Sequence, residues 1–325
     1  MPRPPPRLLV ALRPREETSR ATAGAIPSVP WAYADESSPP EWGEVEAMLV
    51  GSLERELSGF DPASTPRLTF VQRLYTGVDG FPFDRLPPSV RVAGNVGAFA
   101  PFVAEHAVAL ALAAARTLLD SADRVRRGQL RPVPEPRLLY RRTAVVLGYG
   151  EIGRAIADRL AGFEMRVVGV NRTGRMAPGS DAMYPAEALE LAVAEGDFVF
   201  DARPLTRSTR GSVNARLLAA MRPEAIYVNV GRAATVDEEA LYRHLVDHPS
   251  FRAALDVWWD EDYVRGRLTS RFPFSEQPNF VGTPHVAGRG PGVDAYVLAK
   301  ALENIARFFR GEAPRYLVDR AEYTE

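Results

Sequence analysis

The run Gly148-Tyr149-Gly150-Glu151-Ile152-Gly153 constrains this chain more than any other feature. It follows an apolar, β-branched stretch, Thr143 to Leu147, and leads into residues whose Ile152, Ala155, Ile156 and Leu160 share one helical face. Gly148 permits a tight turn, Gly150 lets the backbone approach a pyrophosphate, and Gly153 allows close helix-to-strand packing, while the helix N-terminus attracts an anion. Three glycines at this spacing are a weak signal alone. Here a strand precedes them, a helix follows, and a second apolar run, Met165 to Val170, stands at the distance of the next strand. The reading is a dinucleotide site that includes Glu151 and Ile152. The bland alternative is a glycine turn without a ligand.

The same alternation continues. Strands are expected at Phe198 to Phe200, Ile226 to Val230, Ala253 to Val257 and Phe280 to Val281, which with the first two make six strands of a Rossmann-type doubly wound parallel sheet. Upstream, Leu8 to Leu12, Ala47 to Val50, Leu68 to Leu74 and Val90 to Ala93 read as strands of a smaller flavodoxin-like α/β domain, broken by turns such as Ser37-Ser38-Pro39-Pro40. Val103 to Leu119, free of glycine and proline, predicts one long buried helix, and Arg131 to Pro136, with three prolines, an extended connector. A last helix spans about Gly292 to Phe309. A chain of 325 residues accommodates roughly two domains. The first set of strands ends near residue 100, and resemblance to a known family, carried by the motifs below, implies a substrate-binding domain, residues 1–101 completed by 288–325, and a dinucleotide-binding domain, residues 102–287.

Composition removes several classes of function. Forty basic against forty-one acidic residues leave a charge of -1, so no whole-chain field exists to hold nucleic acid or an anionic membrane, and neither is expected as a partner. Lys300 is the only lysine. With no cysteine, disulfides, thiolate nucleophiles and cysteine-bound metals are excluded, and no metal site is expected. The short apolar run at the N-terminus falls below a signal-peptide core, no uninterrupted run of about 20 apolar residues occurs, and the expected compartment is the cytoplasm.

The second nucleotide-binding strand ends at Asn171-Arg172-Thr173, where an NAD-binding unit usually carries an acidic residue for the ribose 2′-hydroxyl. Arg172, and Arg175 nearby, instead offer guanidinium groups for a 2′-phosphate, with Asn171 and Thr173 as neutral donors. NADP is therefore expected over NAD. Solvated turn arginines are the competing reading.

Three polar residues follow successive strand ends: Arg232 after Ile226 to Val230, Glu261 after Leu255-Asp256-Val257, and His285 after Phe280-Val281. A strand-end histidine by itself is more often structural. Together they fit reduction of a 2-oxo acid, which needs a cation for the carboxylate and polarised carbonyl, a proton donor beside the carbon that receives hydride, and a carboxylate that fixes the imidazole tautomer. His106, His244 and His248 fall on expected helices, where solvated or capping roles suffice.

The chain resembles the D-2-hydroxyacid dehydrogenase family in the glycine fingerprint, in Pro204-Leu205-Thr206 through Thr209-Arg210-Gly211 and Asn214 to Leu218, and in Val228 to Arg232 with Val236 to Leu241. It does so again in Ala254 to Val257 leading to Glu261, in Thr283-Pro284-His285-Val286-Ala287-Gly288, and in Tyr75 to Asp79 and Val103 to His106. The resemblance implies a two-domain homodimer with a cleft, His285 as general acid in reduction, Glu261 as its partner and Arg232 as substrate clamp. It implies Pro204 and Asp256 in the cofactor site, Asp256 meeting the nicotinamide carboxamide, and the backbone of Thr76, Gly77 and Val78 binding the substrate carboxylate. Departures are Ala233 in place of the glycine that usually follows the arginine, and Asp262 where a proline commonly follows the glutamate. Trp258 and Trp259 read equally as packing or pocket wall. Phe99 stands where D-lactate dehydrogenases carry a carboxylate-binding tyrosine, and Glu261 where formate dehydrogenases carry glutamine. The expected function is NAD(P)-dependent reduction of a small 2-oxo acid such as glyoxylate or hydroxypyruvate. The alternatives are a nucleotide-sensing interaction protein and a catalytically silent paralogue on the same fold.

Overall fold

In the computed structural model, which describes residues 4–36, 39–52, 60–130, 135–262 and 265–324, the chain divides into two units, Met1–Phe99 with Gly290–Glu325 and Ala100–Arg289. The first unit holds a parallel sheet of β1 (Leu8–Ala11), β2 (Trp31–Tyr33), β3 (Ala47–Val50), β4 (Phe70–Arg73) and β5 (Arg91–Ala93) in the order β2-β1-β3-β4-β5. That is the flavodoxin-like order. Strand alternation decides its packing. Leu8, Val10, Ala47 and Leu49 pack with Leu298, Ala301, Leu302 and Ile305 of the helix Val293–Phe309, while Leu9, Met48, Val50 and Val71 pack with Phe60, Leu68, Phe81 and Phe83. Each fully buried Val, Leu, Ile, Met or Phe side chain among them contributes about 1.5–3 kcal/mol. Helix α1 (Glu16–Ala25) buries Thr18 and Thr22. Strand β2, three residues long, carries too short an alternation to be read from sequence. Ser37 and Ser38 of the expected turn, and residues 131–134 of the expected connector, lie outside the described residues.

The second unit begins with helix α2 (Ala100–Ala115), which buries Val103, Ala107, Leu110, Ala111 and Ala114. The single helix expected through Leu119 is broken: Thr117 takes a left-handed φ of 49°, and α3 (Leu118–Arg126) departs at 61°. Leu118 and Leu119 are exposed, so the break falls where burial stops holding the apolar face, a signal that composition does not carry. Among the described residues, no single helix is long and apolar enough to cross a membrane.

The strands of this unit are β6 (Thr143–Leu147), β7 (Arg166–Asn171), β8 (Ala182–Pro185), β9 (Phe198–Asp201), β10 (Ile226–Asn229), β11 (Arg252–Leu255), the antiparallel pair β12 (Asp260–Asp262) and β13 (Arg267–Thr269), and β14 (Phe280–Gly282). The parallel sheet runs β14-β11-β10-β9-β6-β7-β8. It has seven strands, not six. Edge strand β8 is half-buried throughout and ends at Pro185, whose missing N–H an edge position tolerates; its short Ala182-Met183-Tyr184 run shows no alternation. Strand order reverses between β6 and β9, the place where ligands of such sheets bind.

Candidate active site

Register determines which residues can meet. Leu147 pairs with both Val170 and Asp201, Asn229 with both Asp201 and Leu255, and Leu255 with Gly282. Six parallel strands thus end in one row. The segments that follow them, at Gly148, Asn171, Ala202, Val230, Asp256 and Thr283, leave the same edge of the sheet.

At the first of these ends Gly148 has φ +84°, and a Cβ there would lie 2.9 Å from the Arg203 backbone nitrogen, so only glycine fits. A Cβ on Gly153 would lie 2.5 Å from the Gly148 carbonyl oxygen, which seats the glycine turn directly against helix α4 (Glu151–Leu160). Gly150, by contrast, caps α4 with no atom within 4 Å of its Cβ direction. Open backbone at a helix N-terminus is what a pyrophosphate requires. Glu151 is ion-paired with Arg154, Ile152 is half-buried, and Tyr149 is buried with its hydroxyl donating to the Pro178 carbonyl at 3.1 Å. Burial pushes that phenol up to about 12.

After β7, Asn171 folds the turn on itself: its Oδ1 accepts from the Thr173 amide at 3.0 Å and its Nδ2 donates to the Arg175 carbonyl at 2.9 Å. Arg172 and Thr173 are exposed on this turn. Pro204 is exposed, and its carbonyl accepts from the Thr209 hydroxyl at 2.7 Å.

His285 and Glu261 meet. Nδ1 of His285 donates to Oε2 of Glu261 at 2.7 Å, and the other carboxylate oxygen accepts the Trp258 amide at 2.9 Å. A carboxylate only accepts, so in this pair Nδ1 carries the proton that Glu261 receives. Glu261 reaches this point from β12, and His285 sits at φ +52°, a left-handed conformation costing a non-glycine residue about 1–2 kcal/mol. Strain of this kind persists only where surrounding structure imposes it. Here the clamp is Asp256, 1% exposed, which accepts from the Thr283 hydroxyl at 2.6 Å and from the Val286 and Ala287 amides at 2.9 and 2.8 Å. Burial alone would push its carboxyl up; donations from His106, Thr283 and the two amides outweigh that and hold it below its ordinary value. Both oxygens are therefore engaged within the protein, and the structure makes Asp256 the anchor of the His285 loop.

Arg232 is half-buried, after the tight turn that leaves β10. Asn229 brackets that turn, accepting from the Gly231 amide at 2.9 Å and donating to the Arg232 carbonyl at 3.3 Å, while the Thr235 hydroxyl donates to the same carbonyl at 2.8 Å. Trp258 donates its indole N–H to the Thr283 carbonyl at 2.9 Å, and Trp259 donates to the Val236 carbonyl at 3.0 Å and stacks on Phe274. Both tryptophans have packing partners. In the first unit, Val78 is buried, the Thr76 hydroxyl donates to the Asn95 carbonyl at 3.0 Å, and Phe99 stacks on the exposed Tyr75 at 6.3 Å; Gly77 is half-buried.

The histidines set aside on sequence need correction. His106 is neither solvated nor capping: its Nε2 lies 2.9 Å from the Thr283 hydroxyl and 3.4 Å from Asp256. His244 stacks on His248 and meets Phe251 edge-on, so burial, aided by His248, pushes it down to about 4. His248 does cap its helix. Also absent from the sequence reading is the pair Asp201 and Arg203, buried beneath the turns at Gly148 and Gly231. Asp201 closing the apolar Phe198-Val199-Phe200 run was the available signal.

A doubly wound sheet whose fingerprint loop, tied imidazole and strand-end arginine leave one edge defines a dinucleotide-dependent oxidoreductase. Residues 108–287 match the family model for the NAD binding domain of D-isomer specific 2-hydroxyacid dehydrogenase, and the chain belongs to that family. It is similar to the glyoxylate reductase of Pyrococcus furiosus, 32% identical over 85% of this chain and 83% of the relative. It is also similar to the hydroxypyruvate reductase of Thermotoga maritima, 30% identical over 81% and 84%. A solved structure of a D-isomer specific 2-hydroxyacid dehydrogenase from Xanthobacter autotrophicus Py2, in complex with NADPH and MES, aligns with a TM-score of 0.80 at 29% identity, over 97% of this chain and 98% of that one. The protein is an NAD(P)-dependent oxidoreductase acting on the CH–OH group of 2-hydroxy acids.

Proposed function

We propose that the enzyme reduces a small 2-oxo acid of the glyoxylate or hydroxypyruvate type, with NADPH preferred over NADH, as a cytoplasmic homodimer. The observation that carries the reading is the His285 to Glu261 bond, which ties an imidazole to a carboxylate at the strand-end edge of a dinucleotide fold. The substrates named for the Pyrococcus and Thermotoga relatives, and the NADPH bound by the Xanthobacter structure, support the choice of acid and cofactor.

The open amides at the start of α4 would hold the pyrophosphate, Pro204 would border it, and Asn171, Arg172 and Thr173 would take the ribose with its 2′-phosphate. The bound nicotinamide supplies the hydride. Arg232 holds the substrate carboxylate and polarises the carbonyl, while His285 delivers a proton from Nε2 to the carbonyl oxygen as the C–H bond forms, yielding the 2-hydroxy acid. Glu261 holds the ring in register and balances the imidazolium that gives up its proton in reduction and re-forms in the return direction.

A panel of 2-oxo acids assayed with NADPH and NADH tests this. Fastest turnover is expected for glyoxylate or hydroxypyruvate with NADPH, with D-configured product where the product is chiral. Failure to reduce either acid with either cofactor would remove the reading.

A further inference from the structure

His106 belongs to α2, far along the chain from the strand-end residues, yet its ring reaches the His285 loop. The hydrogen positions follow from what each group can do. Asp256 only accepts, so the Thr283 hydroxyl spends its single proton on that carboxylate at 2.6 Å. It must therefore accept at its other contact, and His106 donates Nε2–H across 2.9 Å, with Asp256 a second acceptor at 3.4 Å. Thr283 is otherwise fully committed: its amide donates to the Leu255 carbonyl at 2.9 Å, and its own carbonyl accepts from the Trp258 indole at 2.9 Å and from the His285 amide at 3.1 Å. One donor on a rigid helix thus fixes the residue from which the left-handed His285 is hung. The helix segment around His106 is held by the buried Val103, Ala104, Ala107 and Val108 on either side of it.

We propose that His106 is a positioning residue for the reaction, holding His285 opposite Glu261 through the chain His106 to Thr283 to Asp256 to the amides of Val286 and Ala287. The inference rests on the functional reading above in taking His285 as the proton donor. Its physical content is that a strained backbone needs every tie. Losing the His106 donor removes one of the two hydrogen bonds that hold the Thr283 hydroxyl, loosens one side of the clamp, and lets His285 relax out of its proton-transfer position, where a displacement of about 1 Å costs on the order of 100-fold in rate.

The test compares His106→Ala, His106→Gln, Thr283→Val and the double variant H106A/T283V with the parent. His106→Ala should lower kcat for 2-oxo acid reduction by about 10- to 100-fold, with the NADPH Kd from fluorescence titration unchanged. Glutamine, which keeps an Nε2–H donor, should recover most of that kcat. The double variant should be no slower than the slower single, because loss of the Thr283 hydroxyl already removes the tie to His106. Hydrogen exchange in the peptide Thr283–Gly288 should be faster in His106→Ala and parental in His106→Gln. Should His106→Ala fail to fold, Thr283→Ser is expected to stay faster than Thr283→Val, because serine keeps the hydroxyl. Parental kcat and exchange in His106→Ala, a glutamine variant as slow as alanine, or fully additive losses would each overturn the proposal. A parent that reduces no 2-oxo acid would sink the functional reading instead, and the exchange measurement would still decide the role of His106 in the loop.

Discussion

Arg203 donates to both carboxylate oxygens of Asp201, Nε to Oδ1 at 2.9 Å and Nη2 to Oδ2 at 2.5 Å, with the side chains 8% and 0% exposed. The pair lies under the two turns that carry the candidate site, since a Cβ on Gly148 or on Gly231 would strike the Arg203 backbone. Asp201 also accepts the Tyr227 hydroxyl at 3.0 Å, and burial together with the Asp201 charge keeps that phenol well above its ordinary value. Asp201→Ala would leave a buried cation and a buried hydroxyl without their acceptor. A loss of about 3–5 kcal/mol in urea unfolding is expected. A loss below about 1 kcal/mol would mean that water enters to replace the carboxylate.

His285→Ala should reduce kcat by at least about 100-fold, the usual low end for general acid–base catalysis, and leave cofactor affinity unchanged. Glu261→Gln keeps the volume but can turn its amide toward Nδ1, so a smaller loss in kcat than for His285→Ala is expected. Near-parental turnover in the histidine variant would end its assignment as proton donor.

Arg232→Lys should remain impaired, with the loss in kcat/KM for the acid, because an ammonium cannot reproduce a two-donor fork. Steady-state kinetics with the preferred acid check this. Unchanged kinetics would end the assignment of Arg232 as the carboxylate clamp.

For the cofactor, Arg172 on the Asn171 turn should favour NADPH roughly ten- to a hundredfold, as about 1.5–3 kcal/mol of charge-assisted hydrogen bonding gives. Arg172→Ala should then raise KM for NADPH and leave that for NADH unchanged. Equal kcat/KM for the two cofactors in the parent would show that the guanidinium takes no part in selection.

His244 gives a pH dependence of stability. Its folded pKa, about 4, lies below the ordinary 6.5, so between these values the unfolded chain binds a proton that the folded chain does not. Stability is full above about pH 6.5 and falls as the pH drops toward 4. Half-exposure of the ring limits the loss to the order of 1–2 kcal/mol. His244→Phe keeps the ring and should flatten this part of the curve in unfolding measurements from pH 7 to about 4; an unchanged slope would assign the effect to other groups.

What could be read from the sequence was what neighbours along the chain determine. The fingerprint glycines are dictated by steric limits within a few residues, and the apolar runs of β6, β9 and β10 announce buried parallel strands because both their faces are covered. Arg232, Glu261 and His285 could be picked out because each stands just past such a run. The edge strand β8, the end of α2 at Ala115 and the hairpin that carries Glu261 were hidden, since half-buried edges and loss of burial leave no periodic trace. Two decisions belonged to tertiary structure alone. The common register of six parallel strands brings the candidate residues to one edge, and the pairing of His106 with Thr283, 177 positions apart, turns a histidine that looked incidental into a tie on the strained His285 loop. Hydrogen bonds across such separations depend on which strand ends beside which helix, and no local preference of the residues encodes that.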